Sequence, residues 1–150
     1  MGEKELSMRH KQGFSLIEVM LVLVIAALMM GVVASSLTEG PVLRKAAREV
    51  ATSMRQARSV AILQRKEMVW TMDISSRQFG LASNKLEQRA LHTSIEAKIN
   101  TAKTEVVSAT QGNIRFYPDG SSTGGSVELT ARGQTFKVNV EWISGRISLL

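Results

Sequence analysis

From Phe14 to Leu37 the chain is apolar on every side of any helix it could form, interrupted only by Ser15, Glu18, Gly31, Ser35 and Ser36. As a helix this run would be about 36 Å long, more than the roughly 30 Å of a bilayer's hydrocarbon core. The pattern predicts a membrane-spanning helix over 14–37. Gly40-Pro41 then interrupts it. Proline lacks an N–H and clashes with the preceding turn, so a kink or a fresh helix start is expected there. An amphipathic continuation follows over 38–66. Leu43, Ala46, Val50, Met54, Ala57 and Ala61 recur every three or four positions and form one apolar stripe. From Val42 to Lys66 its other faces carry Arg44, Lys45, Arg48, Arg55, Arg58, Arg65 and Lys66 against Glu49 alone. Such a face is either solvated or set against lipid headgroups or acidic protein surfaces.

After Lys66 the period falls to two. "EMVWTMDISSRQFGLAS" predicts two short strands around a turn at Ile74 to Arg77. "LHTSIEAKIN" alternates Ile95, Ala97 and Ile99 and predicts a third. "NIRFYPDGSSTGGSVELTA" gives strand, Gly/Ser loop and strand, and "TFKVNVEWISGRISLL" closes with alternation around a turn at Ser144-Gly145. The expected fold class is α+β. A long N-terminal helix packs through its C-terminal half on antiparallel β-sheet, with 67–150 as the β-rich domain.

Composition sharpens this picture at two points. The formal charge is +6 and cysteine is absent, so an anionic partner is favoured and thiolate chemistry is excluded. The stretch before Phe14 is polar and basic, with Lys4, Arg9, His10 and Lys11. It has the order of a secretory signal, but no A-x-A-like site follows the apolar run, which is also too long for an ordinary signal core. The segment is therefore expected to persist. Glu18 is then the anomaly, since a charge inside a bilayer costs roughly 2.5–3.5 kcal/mol on insertion scales. No cation lies within the apolar run to offset it.

"GFSLIEVMLVLVIAAL" closely resembles the class III signal of type IV pilins and type II secretion pseudopilins. The resemblance implies a leader, 1–13, removed by a prepilin peptidase that cuts after Gly13. It implies N-methylation of the new terminus, Phe14. It also implies that Glu18, fifth in the mature chain, pairs with the Phe14 amine of a neighbouring subunit during assembly. "IRFYPDGSSTGGSVELTARG" and "VEWISGRISLL" resemble the H-type minor pseudopilin domain, which T-type and U-type minor pilins share. One departure concerns the proline that many pilins carry 22 residues into the mature chain; here that place is Ser35.

The function implied is that of a structural subunit of the type II secretion pseudopilus. It would help to initiate or cap the filament that drives folded proteins across the outer membrane. Its partners would be the I, J and K minor types, the major G type, the prepilin peptidase and the bacterial inner membrane, with the C-terminal domain in the periplasm. Orientation follows from the resemblance, because three Lys/Arg before the apolar run face Arg44, Lys45 and Arg48 after it. Apolar positions around Val50, Met54 and Ala57 are expected to form contacts between subunits.

The alternative is a minor type IV pilin acting in pilus assembly or DNA uptake. Its nucleic-acid surface would draw on Arg115, Arg132, Lys137 and Arg146, the cations after Gly112. Nucleic acid is the less favoured partner, because seven cations crowd the helix instead. No catalytic, metal-binding or cofactor-binding residue is expected. His92 is the one histidine after Gly13, and no nucleophile-elbow pattern accompanies any serine. "DGSSTGG", Asp119 to Gly125, lacks the Walker lysine and a following helix, so it reads as a flexible inter-strand loop.

Overall fold

The computed structural model describes residues 14–37 and 39–150, with side chains over 14–31 and 41–150; the expected leader, Gly13 included, lies outside the described residues. Two compact units divide at Leu37. The first contains helix α1, Leu16–Leu37. Ser15 precedes it, and its carbonyl accepts the N–H groups of Glu18 at 3.0 Å and Val19 at 3.2 Å. Serine is a favoured residue at that position.

The second unit begins with α2, Glu39–Gln64. Pro41 falls in its first turn, where its missing N–H would have had no helical partner anyway. Gly40 and Pro41, where an interruption was expected, are both helical, and Thr38, between the two helices, lies outside the described residues. The other end stops two residues before the expected Lys66. Arg65 takes a left-handed conformation, φ 51°. Its N–H donates to Ile62 and that of Lys66 donates to Ala61, a reverse-turn cap that satisfies two terminal carbonyls.

The strands are β1 (Met68–Asp73), β2 (Gln78–Leu81), β3 (Arg89–Ala90), β4 (Glu96–Thr101), β5 (Gln111–Phe116), β6 (Gly125–Ala131), β7 (Gln134–Val140) and β8 (Ile147–Leu149). They form two four-stranded antiparallel sheets rather than one, in the orders β3-β2-β1-β5 and β4-β6-β7-β8. Where β4 meets β5, Gly112 lies under Ile99 and Thr101, and a Cβ there would press on both side chains at 3.1–3.3 Å. Thr101 also donates its hydroxyl to the Asn113 carbonyl across that junction.

Helix α2 touches strands of both sheets. All six residues of the predicted stripe, Leu43 to Ala61, are buried, and with Trp70, Phe79, Phe116, Leu129 and Val138 they make the core. This corrects the expectation for Val50, Met54 and Ala57. Each is fully buried within its own domain, because the two sheets consume the whole stripe and leave none of it for a neighbouring subunit. Trp70 brings a polar atom into this core. Its Nε1–H donates to Ser53 Oγ at 2.9 Å, and that hydroxyl donates to the Val50 carbonyl at 2.8 Å. A buried indole N–H needs such a partner.

The loop Asp119–Gly125 is bonded throughout rather than loose. Asp119 accepts from the Ser121 N–H and hydroxyl. Ser122, 5% exposed, donates its N–H to the Trp142 carbonyl and its hydroxyl to the Glu141 carbonyl, while accepting from Gly124. The loop is thereby tied to the β7–β8 turn. The small residues that looked like slack are the ones that fit beneath Trp142: a Cβ at Gly124 would lie 3.0 Å from that of Trp142.

Candidate assembly site

Alpha-helical spacing puts Phe14, Glu18 and Val22 one above another, and with Val19 and Leu23 they line one face of the N-terminal unit. Glu18 stands in the first turn of α1, where the helix dipole favours a carboxylate. Every described side chain from Phe14 to Gly31 is exposed, including Leu16 at 78% and Met30 at 77%. A helix apolar all round and bare all round is built to be surrounded, by lipid or by other helices. Among the described residues no helix is long and apolar enough to cross a membrane. The described side chains of α1 end at Gly31, and Leu16 to Gly31 rises only about 24 Å. The remainder of the expected span lies at residues whose side chains are not described.

The cations proposed for a nucleic-acid surface are engaged otherwise. Arg115 Nε donates to Glu105 Oε1 and Nη1 to Glu67 Oε2, both at 3.0 Å. The hydrogen bond to Glu105 is the main reason its guanidinium is held above its ordinary pKa, with the charges of Glu105 and Glu67 adding to it. Lys137 faces its cross-strand partner Glu128 at 3.1 Å, and Arg146 lies 3.6 Å from Glu141. Three of the four are thus matched with carboxylates. On α2, Arg58 Nε donates to the Gly120 carbonyl at 3.0 Å and Arg55 to that of Ile147 at 3.3 Å. These two bind β8 and the loop between β5 and β6 rather than serving a free face.

Arg44, Lys45 and Arg48 stay exposed. They line an open groove with Pro41, Arg89 and Phe136. Arg89 arrives from β3, more than forty residues away, and nothing in the sequence pattern announces that meeting. His92 closes a local turn, its Nδ1 2.8 Å from the Ser94 hydroxyl. Among the described residues no cluster of His, Asp and Glu could hold a metal ion.

Comparison with known proteins decides between the families that share this fold. The model for the type II transport protein GspH matches residues 46–145, and the prokaryotic N-terminal methylation motif matches 8–34. The type II secretion system protein H of Xanthomonas campestris pv. campestris is 30% identical over 142 residues, covering 93% of this chain and 83% of that protein. The chain belongs to the GspH family of type II transport proteins. Two solved structures share the fold of this GspH-family chain. The minor pseudopilin EpsH of the Vibrio cholerae type 2 secretion system superposes with a TM-score of 0.55 at 15% identity, over 72% of this chain and 95% of that one. The type IV minor pilin FimU of Pseudomonas aeruginosa also gives 0.55, at 20% identity over 75% and 91%. The fold is therefore pilin-like, as expected, and fold alone does not separate secretion from pilus members. The family model and the curated relative place this GspH-family chain in type II protein transport.

Proposed function

We propose that the chain is a minor pseudopilin, a structural subunit that helps to initiate or cap the type II secretion pseudopilus driving folded proteins across the outer membrane. One observation carries the reading: a methylation motif at 8–34 and a GspH domain at 46–145 stand in a single chain. In this reading the apolar segment 14–37 anchors the subunit in the bacterial inner membrane, with the domain from 38 onward in the periplasm. The prepilin peptidase cuts after Gly13 and methylates Phe14. Before assembly Glu18 is a costly charge in an apolar surround. On assembly it meets the Phe14 amine of the next subunit, and in a low dielectric that attraction far exceeds its value in water. The pair sets the axial register of helices whose other side chains are nearly uniform in chemistry. The partners are the other minor pseudopilins of I, J and K types and the major G type.

The second reading, a minor type IV pilin, shares this fold, but the family model and the curated relative favour type II transport. The engagement of Arg115, Lys137 and Arg146 with carboxylates weighs against the pilin's DNA-uptake form.

Glu18→Leu tests the mechanism in cells. The variant should enter the membrane at least as well as wild type, while crosslinking to partner pseudopilins and secretion both fall. Gly13→Leu should leave the chain uncut by mass spectrometry. A mature wild-type chain starting anywhere but Phe14, or full crosslinking and secretion by Glu18→Leu, would sink the reading.

A further inference from the structure

The groove at the start of α2 gathers four cations around an apolar floor. Arg44, Lys45 and Arg48 come from the helix, Arg89 from β3, and Pro41 and Phe136 supply the apolar surface. One carboxylate, Glu49, lies among them, and it reaches only Lys45, at 3.9 Å. Among the described residues no ion pair engages Arg44, Arg48 or Arg89. Arg44 and Arg48 stand four apart on one helix face, a like-charge spacing that weakens a helix unless an anion lies between them.

Two facts limit what that anion can be. A second copy of this chain is a poor source, because Lys and Arg number 19 against 13 Asp and Glu. Chain connectivity supplies a better one. Pro41 follows Leu37 by four residues, so the groove's first lining residue lies within about 14 Å of the end of α1 however the chain runs. With α1 in a bilayer, that reach falls in or next to the headgroup layer, which adds several Å to each side of the hydrocarbon core.

We propose that this groove binds the phosphate of an anionic phospholipid headgroup, with the Arg and Lys side chains on the phosphate and Phe136 and Pro41 against the glycerol region. The proposal rests on the reading of 14–37 as a membrane anchor. Guanidinium groups suit it, since their paired N–H donors match phosphate oxygens. The bound lipid would fix the height of the domain above the membrane before the filament takes the subunit up.

The chain has no cysteine, so a fluorophore on Thr52→Cys, a groove position, is the sole thiol label. The full chain is reconstituted in phosphatidylcholine vesicles, with or without phosphatidylglycerol, each doped with a headgroup-attached quencher. Flotation reports anchoring, and quenching reports occupancy of the groove. The expected result is flotation with both vesicles but strong quenching only with phosphatidylglycerol, lost at high salt. Replacing Arg44, Arg48 and Arg89 by Ser should lower occupancy by about fivefold per cation, while the three-Lys variant retains most of it and shows that the loss is one of charge. Flotation without phosphatidylglycerol-dependent quenching overturns the groove and spares the anchor. Failure to float overturns both. Shielding of the label by an added partner pseudopilin, with no response to lipid, assigns the groove to a protein contact and also overturns the proposal.

Discussion

Arg115→Met should cost the domain roughly 2–3 kcal/mol, and the cost should come almost entirely from one carboxylate. Arg115 bridges Glu67 and Glu105 with two 3.0 Å hydrogen bonds. The two acids differ in exposure: the Glu67 side chain is 54% exposed and that of Glu105 only 6%. Removing one partner of a fully buried pair costs about 3–5 kcal/mol, because the other charge is left without compensation. Arg115 is itself 31% exposed, so water relieves part of that penalty. The exposed Glu67 contact contributes below about 1 kcal/mol. Methionine keeps most of the arginine's aliphatic volume, so the loss reports charge rather than packing. Urea unfolding of the 38–150 unit, which contains every buried core residue, measures the effect. Thermal unfolding of the same unit should show a drop in Tm of about 10 °C. Glu105→Leu in the Arg115→Met background should restore most of it, and Glu67→Gln alone should be nearly silent. A single variant within about 0.5 kcal/mol of wild type, or a double variant no better than the single, would refute the assignment of the penalty to a stranded Glu105.

Gly145→Ala should unfold the β7–β8 turn or lower stability by more than about 2 kcal/mol, because φ there is 60° and the added Cβ would strike the Gly120 carbonyl; a variant with unchanged thermal unfolding would contradict the geometry. Asp73 and Asp119 are each held below the ordinary carboxylate value, chiefly by the hydroxyls of Ser75 and Ser121 respectively. Their ionised forms therefore stabilise the fold above the unfolded value near 3.8, and that contribution is lost as pH falls through the lower folded values. Wild type should exceed the Asp73→Asn, Asp119→Asn double variant in stability at neutral pH and converge with it in acid, as read by unfolding at a series of pH values; a gap that widens in acid would show the sign to be wrong.

The period of the apolar residues made much of this architecture legible. The stripe from Leu43 to Ala61, the turn at Ile74 to Arg77 and the closing turn at Ser144-Gly145 are where alternation and turn chemistry put them. The packing of this helix on β-sheet was legible too; that the sheets would take the whole stripe and leave none for a neighbouring subunit was not, because amphipathicity names an apolar face and not how much of it one partner covers. The division into two sheets depends on long-range pairing such as β1 with β5 and β4 with β6, which no local pattern encodes. Two-residue β3 is too short to show any period. The groove's fourth cation illustrates the same limit, since Arg89 meets Arg44 only through tertiary folding. The motif at Phe14 and Glu18, by contrast, is entirely local, and it takes its meaning from the resemblance of the surrounding stretch to the class III signal of pilins and pseudopilins.

The clasp of both sheets on α2 has a mechanical consequence. A subunit hauled by the segment ahead of it feels traction at the N-terminal end of α2. The buried stripe runs about 27 Å along the helix, and Arg55 and Arg58 tie its farther half to the carbonyls of Ile147 and Gly120. A pull along the axis is therefore shared as shear by the whole length of the interface, instead of peeling contacts apart one after another. The helix behaves as a tenon seated in its domain, so force reaching the β-sheets arrives distributed and the domain travels as one body.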